Sequence, residues 1–449
     1  MRFLPRLAVL RSALLFSGLV SLAALGPIGC AASNETPGVG GGGEGGDGAQ
    51  GGSGGSGGTG GTMVGPGGTG GTGGTGGMMT GSGGAGGSAG SGGGGGAGGS
   101  GGMGGGQNGT ATKVVSVYGS GSAVIANETD LASGAPKSTP WQVQSTDAIG
   151  LASDGAGTGI CVLRSSAAGE LRVAFYSAGA WTPGFNEAPP ALEAGLASQG
   201  GPQVAAAGGI GHLVYRGTDG FYYYGRLQNK LWVSKKEAIT ANGQPSSGPN
   251  PPAVAAIGNA PVIAFVGADG TFYDQSRAGG AWSAPTPHPI GGKAATATPG
   301  IVALDSGPEL VAVFANEAGS LHWLSRKGIV WTNPQPIEGA SSLDQPSLAP
   351  LPGGGALLAY RGTDQRLYTA RLSTGDAPTW SVPVQGAGGG NPILVVPPAI
   401  TRGGKGAEVE MIYADNLNSV YSTRLVGGAW LPRAFAGSAS GRIAIATLP

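Results

Sequence analysis

The chain has 449 residues, 96 of them Gly, and 24 Lys+Arg balance 24 Asp+Glu. Residues 38–109 hold 44 of those glycines with only Glu44 and Asp47 charged, so this stretch has too little apolar surface to offset backbone ordering and does not fold. The 340 residues from Thr110 onward carry 21 basic and 21 acidic side chains, which excludes the basic footprint of a nucleic-acid binder.

At the start of the chain, Arg2, Arg6 and Arg11 precede an apolar run from Ser12 to Leu25. That is the length of a signal-peptide core and too short for a spanning helix. The run ends in Gly26-Pro27-Ile28-Gly29-Cys30, which resembles a bacterial lipobox, where a small residue precedes a Cys that is diacylated after cleavage; Pro27 stands where that pattern usually has Leu. Cys30-Ala31-Ala32 also offers an ordinary cleavage site after Ala32. Residues 1–30 are therefore expected to be a signal peptide of lipoprotein type with Cys30 as the lipidation site. The protein is expected at the outer membrane or cell surface, with secretion or the periplasm as the alternative. Residues 31–111 follow as a Gly/Ser/Thr-rich linker, and its 72-residue Gly-rich stretch spans roughly 45 Å as a flexible coil.

Residues 112–449 repeat. Trp141, Trp181, Trp232, Trp282, Trp331, Trp380 and Trp430 are separated by 40, 51, 50, 49, 49 and 50 residues. Around them recurs one pattern: an apolar run, a Gly/Asp turn, an alternating run with an aromatic, a Gly-rich turn, then Trp. Leu213 to Gly220 with Trp232, and Val262 to Gly270 with Trp282, show it most clearly. Asp-Gly and Gly-Gly between alternating hydrophobics are hairpin signatures, and a further short apolar run precedes each unit, such as Pro202 to Ala207. Four strands per fifty residues predict an all-β fold, a β-propeller. The chain ends in Gly441 to Leu448, one innermost strand, and the domain begins with three outer strands between Lys113 and Trp141. Joined, they complete a seventh blade and close the ring without an exposed edge.

The Trp residues read as wedges between blades, and Asp219, Asp269 and Asp364 as turn formers. Two other sets are candidates for ligand contact. Tyr223, Tyr273, His322, Tyr368 and Tyr421 recur at one place in the third strand, as packing groups or as a stacking surface with a polar tip. Arg226, Arg277, Arg326, Arg371 and Arg424 recur near the end of that strand, and Arg164, Arg216 and Arg361 at the end of the strand before. Guanidinium forks suit sugar hydroxyls and carboxylates, and they also satisfy loop carbonyls. The ligand-binding candidates are Arg216, Tyr223, Arg226, Tyr273, Arg277, Arg361, Tyr368, Arg371, Tyr421 and Arg424. Repeated at equivalent places, they would form several weak sites that gain by avidity.

The Tyr-Arg-Gly-Thr-Asp-Gly stretch from Tyr215, its counterpart from Tyr360 to Asp364, and Leu367-Tyr368 resemble the repeat of bacterial seven-bladed propeller lectins, a fucose-binding group. The resemblance covers roughly residues 113–449 and implies sugar sites in clefts between neighbouring blades. A second Trp usual in that repeat is absent, with Val233 to Lys236 following Trp232.

Chemistry by cofactor is not expected. His212, His288 and His322 are scattered, Cys30 and Cys161 are the only cysteines, and no phosphate-binding loop precedes a helix. The close acidic pairs are Asp305 with Glu309 and Glu408 with Glu410, the second sharing one face of a predicted strand, as a solvated edge or as a site. The reading is a surface-displayed, non-catalytic carbohydrate-binding propeller. A protein-interaction scaffold engaging a surface protein is the alternative, and a sialidase-like glycoside hydrolase the enzymatic one.

Overall fold

The computed structural model describes residues 111–448, apart from 146, 154–156, 185, 296, 307–308 and 376, together with the short strand Gly96–Ala97. Cys30, the leader and most of the linker lie outside the described residues. Strands and turns account for the described secondary structure, with no helix among the described residues.

Seven antiparallel sheets follow one another, each a meander of four strands from inside to outside. The third blade shows the plan: Gln203–Ala207, Ile210–Arg216, Tyr222–Gln228 and Leu231–Ala238 pair in order. In the fourth, fifth and seventh blades the outer position is split into two short strands. The innermost strands neighbour one another in a closed cycle from Ile443–Leu448 through Gly150–Ser153 round to Ala399–Arg402. Gly96–Ala97 pairs with the innermost strand of the fifth blade, Gly300–Ala303.

Closure follows the sequence reading. Ile443–Leu448 pairs antiparallel with Lys113–Ser120, which pairs with Ala123–Asp130 and then Pro136–Trp141. The first blade therefore takes its inner strand from the C-terminus and its other three from the start of the domain. Lys113–Ser120 thereby gains a ladder partner on each side, which removes the open inner edge that would template aggregation.

Strand patterning shows why these residues form blades. Second strands such as Leu310–Ala315 and Val409–Ala414 are buried along their whole length because a neighbouring blade covers each face. Third strands alternate buried and partly exposed positions, as in Tyr222–Gln228. The core is a series of apolar clusters between blades, one pairing the first with the second blade and another the sixth with the seventh.

Six of the seven periodic Trp residues share a register. Trp181, Trp232, Trp282, Trp331, Trp380 and Trp430 stand opposite Tyr176, Leu227, Arg277, Arg326, Leu372 and Leu425, the sixth residue counted from the same point of each third strand. Each reaches back onto the preceding blade. Trp282 packs edge-on to Tyr224 at 5.5 Å, Trp331 to His288 at 5.7 Å and Trp380 to Trp323 at 6.2 Å. The wedge role holds.

Trp141 is out of register. It ends its outer strand opposite Val124 and packs forward on Trp181 of the second blade at 5.1 Å. The residue that occupies the wedge position of the first blade is Pro136, opposite Thr129. The 40-residue interval between Trp141 and Trp181 is the sequence trace of this shift.

Candidate functional site

Each turn between second and third strands lies at one end of the ring, here called the top, and each third strand runs from top to bottom. The sequence candidates divide accordingly. The Tyr set, Arg216 and Arg361 lie near the top, whereas Arg226, Arg277, Arg371 and Arg424 lie near the bottom.

The top set is engaged within the fold. Tyr223, Tyr273 and Tyr368 stack on Tyr215, Phe265 and Tyr360, their cross-strand partners, at 5.6, 5.5 and 5.4 Å. Their hydroxyls donate to Asp219, Asp269 and Asp364 of the preceding turn at 2.5, 2.7 and 2.9 Å. The hydrogen bond to Asp219 pushes the Tyr223 phenol up to about 12. Tyr421 lies against Tyr413, with Arg433 over its ring at 4.3 Å. Arg216 donates from Nε to the Gly248 carbonyl at 2.7 Å and also bonds Gln199. Arg361 bonds Asp344 at 2.5 Å and the Leu394 and Val395 carbonyls. These two, with Arg164 on Asp147 and the Ser198 carbonyl, clamp the connections that enter and leave a blade. A broad cavity of about 470 Å³ opens at the top between the third and fourth blades, with the engaged Arg216 and the half-exposed Phe221 in its wall.

The bottom arginines occupy two registers. Arg226, Arg371 and Arg424 are one residue earlier in their strands than Arg277 and Arg326, so period two turns them to opposite faces. Arg277 faces the preceding blade, where it grips Glu237 with two bonds of 3.0 and 3.1 Å and covers the Tyr224 ring. Arg371 faces the following blade and pairs with Glu408. Arg226 bonds Gln228 within its own strand. Arg424 borders an open interblade cleft.

That cleft lies between the seventh and first blades and exists because its wedge is missing. The six other interfaces each receive a Trp from the following blade; here Pro136 stands in that place, and a smaller side chain leaves space. The cavity measures about 220 Å³. Its seventh-blade wall carries Glu410, Ser422 and Arg424, and its first-blade wall carries Asn127, Pro136 and Ser138. Arg424 Nε donates to Glu410 Oε1 at 2.8 Å, and Nη2 reaches the carbonyls of Gly404 and Lys405. Ser138 donates to Asn127 Oδ1 at 2.5 Å, and Asn127 Nδ2 donates to the Tyr118 hydroxyl and the Ala436 carbonyl. Glu410 is only 4% exposed, and burial outweighs the neighbouring guanidinium to push its carboxyl up to about 7. Phe435, 67% exposed, lines the same cleft.

The arrangement offers hydrogen-bond groups of both polarities around a small space, with an apolar ring beside it. Of the sequence candidates it contains Arg424 alone. Glu410 figured only as half of an acidic pair, and Asn127, Pro136, Ser138 and Phe435 were not singled out. The short Trp interval could have pointed to this interface. The acidic pairs do not converge: Asp305, Glu408 and Glu410 each pair with a separate arginine, Arg402, Arg371 and Arg424. Among the described residues no group of three or more His, Cys, Asp or Glu could hold a metal ion.

No family model matches the chain, and no curated protein matches it. Among solved structures it is similar to AofleA from Arthrobotrys oligospora, at 13% identity and TM-score 0.45, over 68% of this chain and 90% of that one. It is also similar to the BP39L lectin from Burkholderia pseudomallei, at 16% identity and TM-score 0.44, over 73% and 99%. The fucose-specific lectin from Aleuria aurantia matches at 13% identity and TM-score 0.40, over 66% and 98%.

Proposed function

We propose that this protein is a non-catalytic carbohydrate-binding propeller whose sugar site is the cleft between the seventh and first blades. The observation that carries the reading is the exchange of a Trp wedge for Pro136, which opens about 220 Å³ beside the buried Glu410 carboxyl and its partly exposed Arg424 partner. That volume lies below the roughly 300–1,000 Å³ of drug-sized pockets and fits a single terminal ring. Sugars need paired donors and acceptors for vicinal hydroxyls and an apolar surface for their C–H faces. Arg424, Glu410, Asn127 and Ser138 supply the first, and Phe435 supplies the second. The leader and the Gly-rich linker support export and display on a tether from Cys30.

The test is a glycan array with residues 112–449, followed by titration calorimetry of any hit. One equivalent per chain is expected. Pro136→Trp, which restores the wedge, abolishes binding, whereas Tyr368→Ala and Arg361→Ala leave it intact. A folded ring that binds no glycan, or a Pro136→Trp variant that binds normally, refutes the site. In the first case the scaffold reading takes its place. Mass spectrometry of the membrane fraction tests the anchor, since Cys30→Ala must lose the lipid adduct.

A further inference from the structure

The sugar cleft is shaped by a residue that lies behind its wall. In the third, sixth and seventh blades the second strand carries a Tyr near its end, Tyr215, Tyr360 or Tyr413, and the third strand sets Tyr223, Tyr368 or Tyr421 opposite it. The first blade keeps the first member as Tyr118 and places Ile125 opposite. Tyr215 spends its hydroxyl on its own blade, at the Lys235 carbonyl 3.1 Å away. Tyr118 instead crosses the interface and donates to the Ala436 carbonyl of the seventh blade at 2.9 Å.

A local irregularity presents that carbonyl. Strand Ala434–Ser438 pairs with Ser419–Val426, Phe435 opposite Tyr421 and Gly437 opposite Val420, so Ala436 is left over as a bulge. A bulge bends its strand and re-aims the groups beside it. Gly437 has a φ of +140°, and a Cβ on it would collide with the Tyr118 hydroxyl oxygen. Glycine alone admits both this backbone and the approach of the phenol. Ala434, Phe435 and Ala436 border the cleft, which makes the bulged strand its outer lip.

The Ala436 carbonyl takes a second bond from Asn127 Nδ2 at 3.0 Å, and Nδ2 also donates to the Tyr118 hydroxyl at 2.9 Å. A carbonyl only accepts, so the amide nitrogen must face Ala436 while the oxygen accepts from Ser138. Both amide protons are spent, and Asn127 offers the cleft the remaining lone pair of Oδ1. Tyr118 is 3% exposed and packs in the apolar cluster of Ile412, Val420 and Ile443. Burial raises its phenol above the ordinary range, so the donor persists across physiological pH. At six interfaces an indole braces the preceding blade, whereas here three hydrogen bonds brace the lip.

We infer that Tyr118 is a positioning residue for the sugar cleft, drawing the bulged lip against the first blade and fixing the face that Asn127 turns to a ligand. The inference rests on this cleft being the sugar site. Without the hydroxyl the lip keeps one of its two bonds, and Asn127 gains a free proton that it can turn into the cleft.

The experiment compares the full mature chain with Tyr118→Phe, which keeps the ring and removes only the hydroxyl. Hydrogen exchange read by mass spectrometry must quicken about tenfold or more across residues 434–438 and stay unchanged where Trp282 braces the third blade. The unfolding temperature falls by at most a few degrees, roughly the loss of one hydrogen bond in a domain of this size. On a glycan array the variant binds about tenfold more weakly and ranks the glycans differently, because Asn127 now offers a donor. A merely structural loss would weaken all glycans alike. Gly437→Ala displaces the lip from its own side, and the double variant loses no more affinity than the worse single one, since both act on one contact. Unchanged exchange in Tyr118→Phe overturns the inference, as does faster exchange with the strength and order of glycan binding unaltered. A parent that binds no glycan refutes the sugar site and with it this role, while the exchange data, which need no ligand, still show whether the latch exists.

Discussion

Glu410 makes the stability of the ring depend on pH in a direction opposite to that of most carboxylates. Its carboxyl ionises at 4.5 in a solvated chain and at about 7 in the folded one, because burial in the cleft outweighs the Arg424 guanidinium. Below pH 4.5 the group is protonated in both states and costs nothing. As pH rises from there, the unfolded chain ionises first and gains, so folding loses stability until the folded group also ionises near 7. The loss is about 2.5 pK differences at about 1.4 kcal/mol each, or roughly 3 kcal/mol between pH 4.5 and pH 7.5. Glu410→Gln removes the titration, so the gap between parent and variant must change by that amount across the window, whatever its value at either end. Urea unfolding midpoints at half-unit intervals of pH give the comparison. Parallel profiles, or a gap that moves the other way, would show that the ion pair wins over burial. The same titration bears on the ligand, since a neutral carboxyl both donates and accepts whereas an ionised one only accepts. Glycan affinity must therefore change through pH 7 in the parent and not in Glu410→Gln.

Other consequences follow from single residues. Trp282→Ala removes the wedge between the third and fourth blades and leaves Tyr224 unsupported, which costs about 3–5 kcal/mol in denaturant unfolding; a loss below about 1 kcal/mol would contradict the wedge role. Deleting residues 443–448 strips the first blade of its inner strand and exposes the ladder edge of Lys113–Ser120, so the shortened ring must aggregate or lose cooperative unfolding by light scattering and calorimetry. Cys161 is fully buried between the first and second blades, and burial raises its thiol far above the ordinary range. Iodoacetamide at pH 8 should therefore leave it unmodified until the chain is unfolded, and rapid native labelling would mean that the interface opens.

Fold and function differ in how far they can be read along the chain. Blade strands, turns and wedges are local. Alternation sets which side chains share a face, Asp-Gly and Gly-Gly set the turns, and a fifty-residue period repeats the result, so the ring and its closure by Ile443–Leu448 were legible without coordinates. Six of the seven periodic Trp residues also announced their packing role, because an indole just after the turn into a short outer strand has nowhere to bury except the neighbouring blade.

Repetition also misled. Arg226 and Arg277 look equivalent at fifty-residue spacing, yet a shift of one residue turns them toward different neighbours. Tyr223, Tyr273 and Tyr368 look like a stacking ring, yet each is spent on an aromatic eight residues earlier and on the Asp of its own turn. The cleft is the departure from the repeat, assembled from Pro136, Asn127 and Ser138 near the start of the domain and Glu410, Arg424 and Phe435 near its end. Sequence by itself determined the blade and its number, since six blades rest on contacts within about fifty residues and the complementary partial units at the two ends of the domain supply the seventh. Tertiary structure decided where the cleft between the seventh and first blades opens and which charges pair across blades, because ring closure brings the two ends of the domain together, and no local pattern records what then faces what.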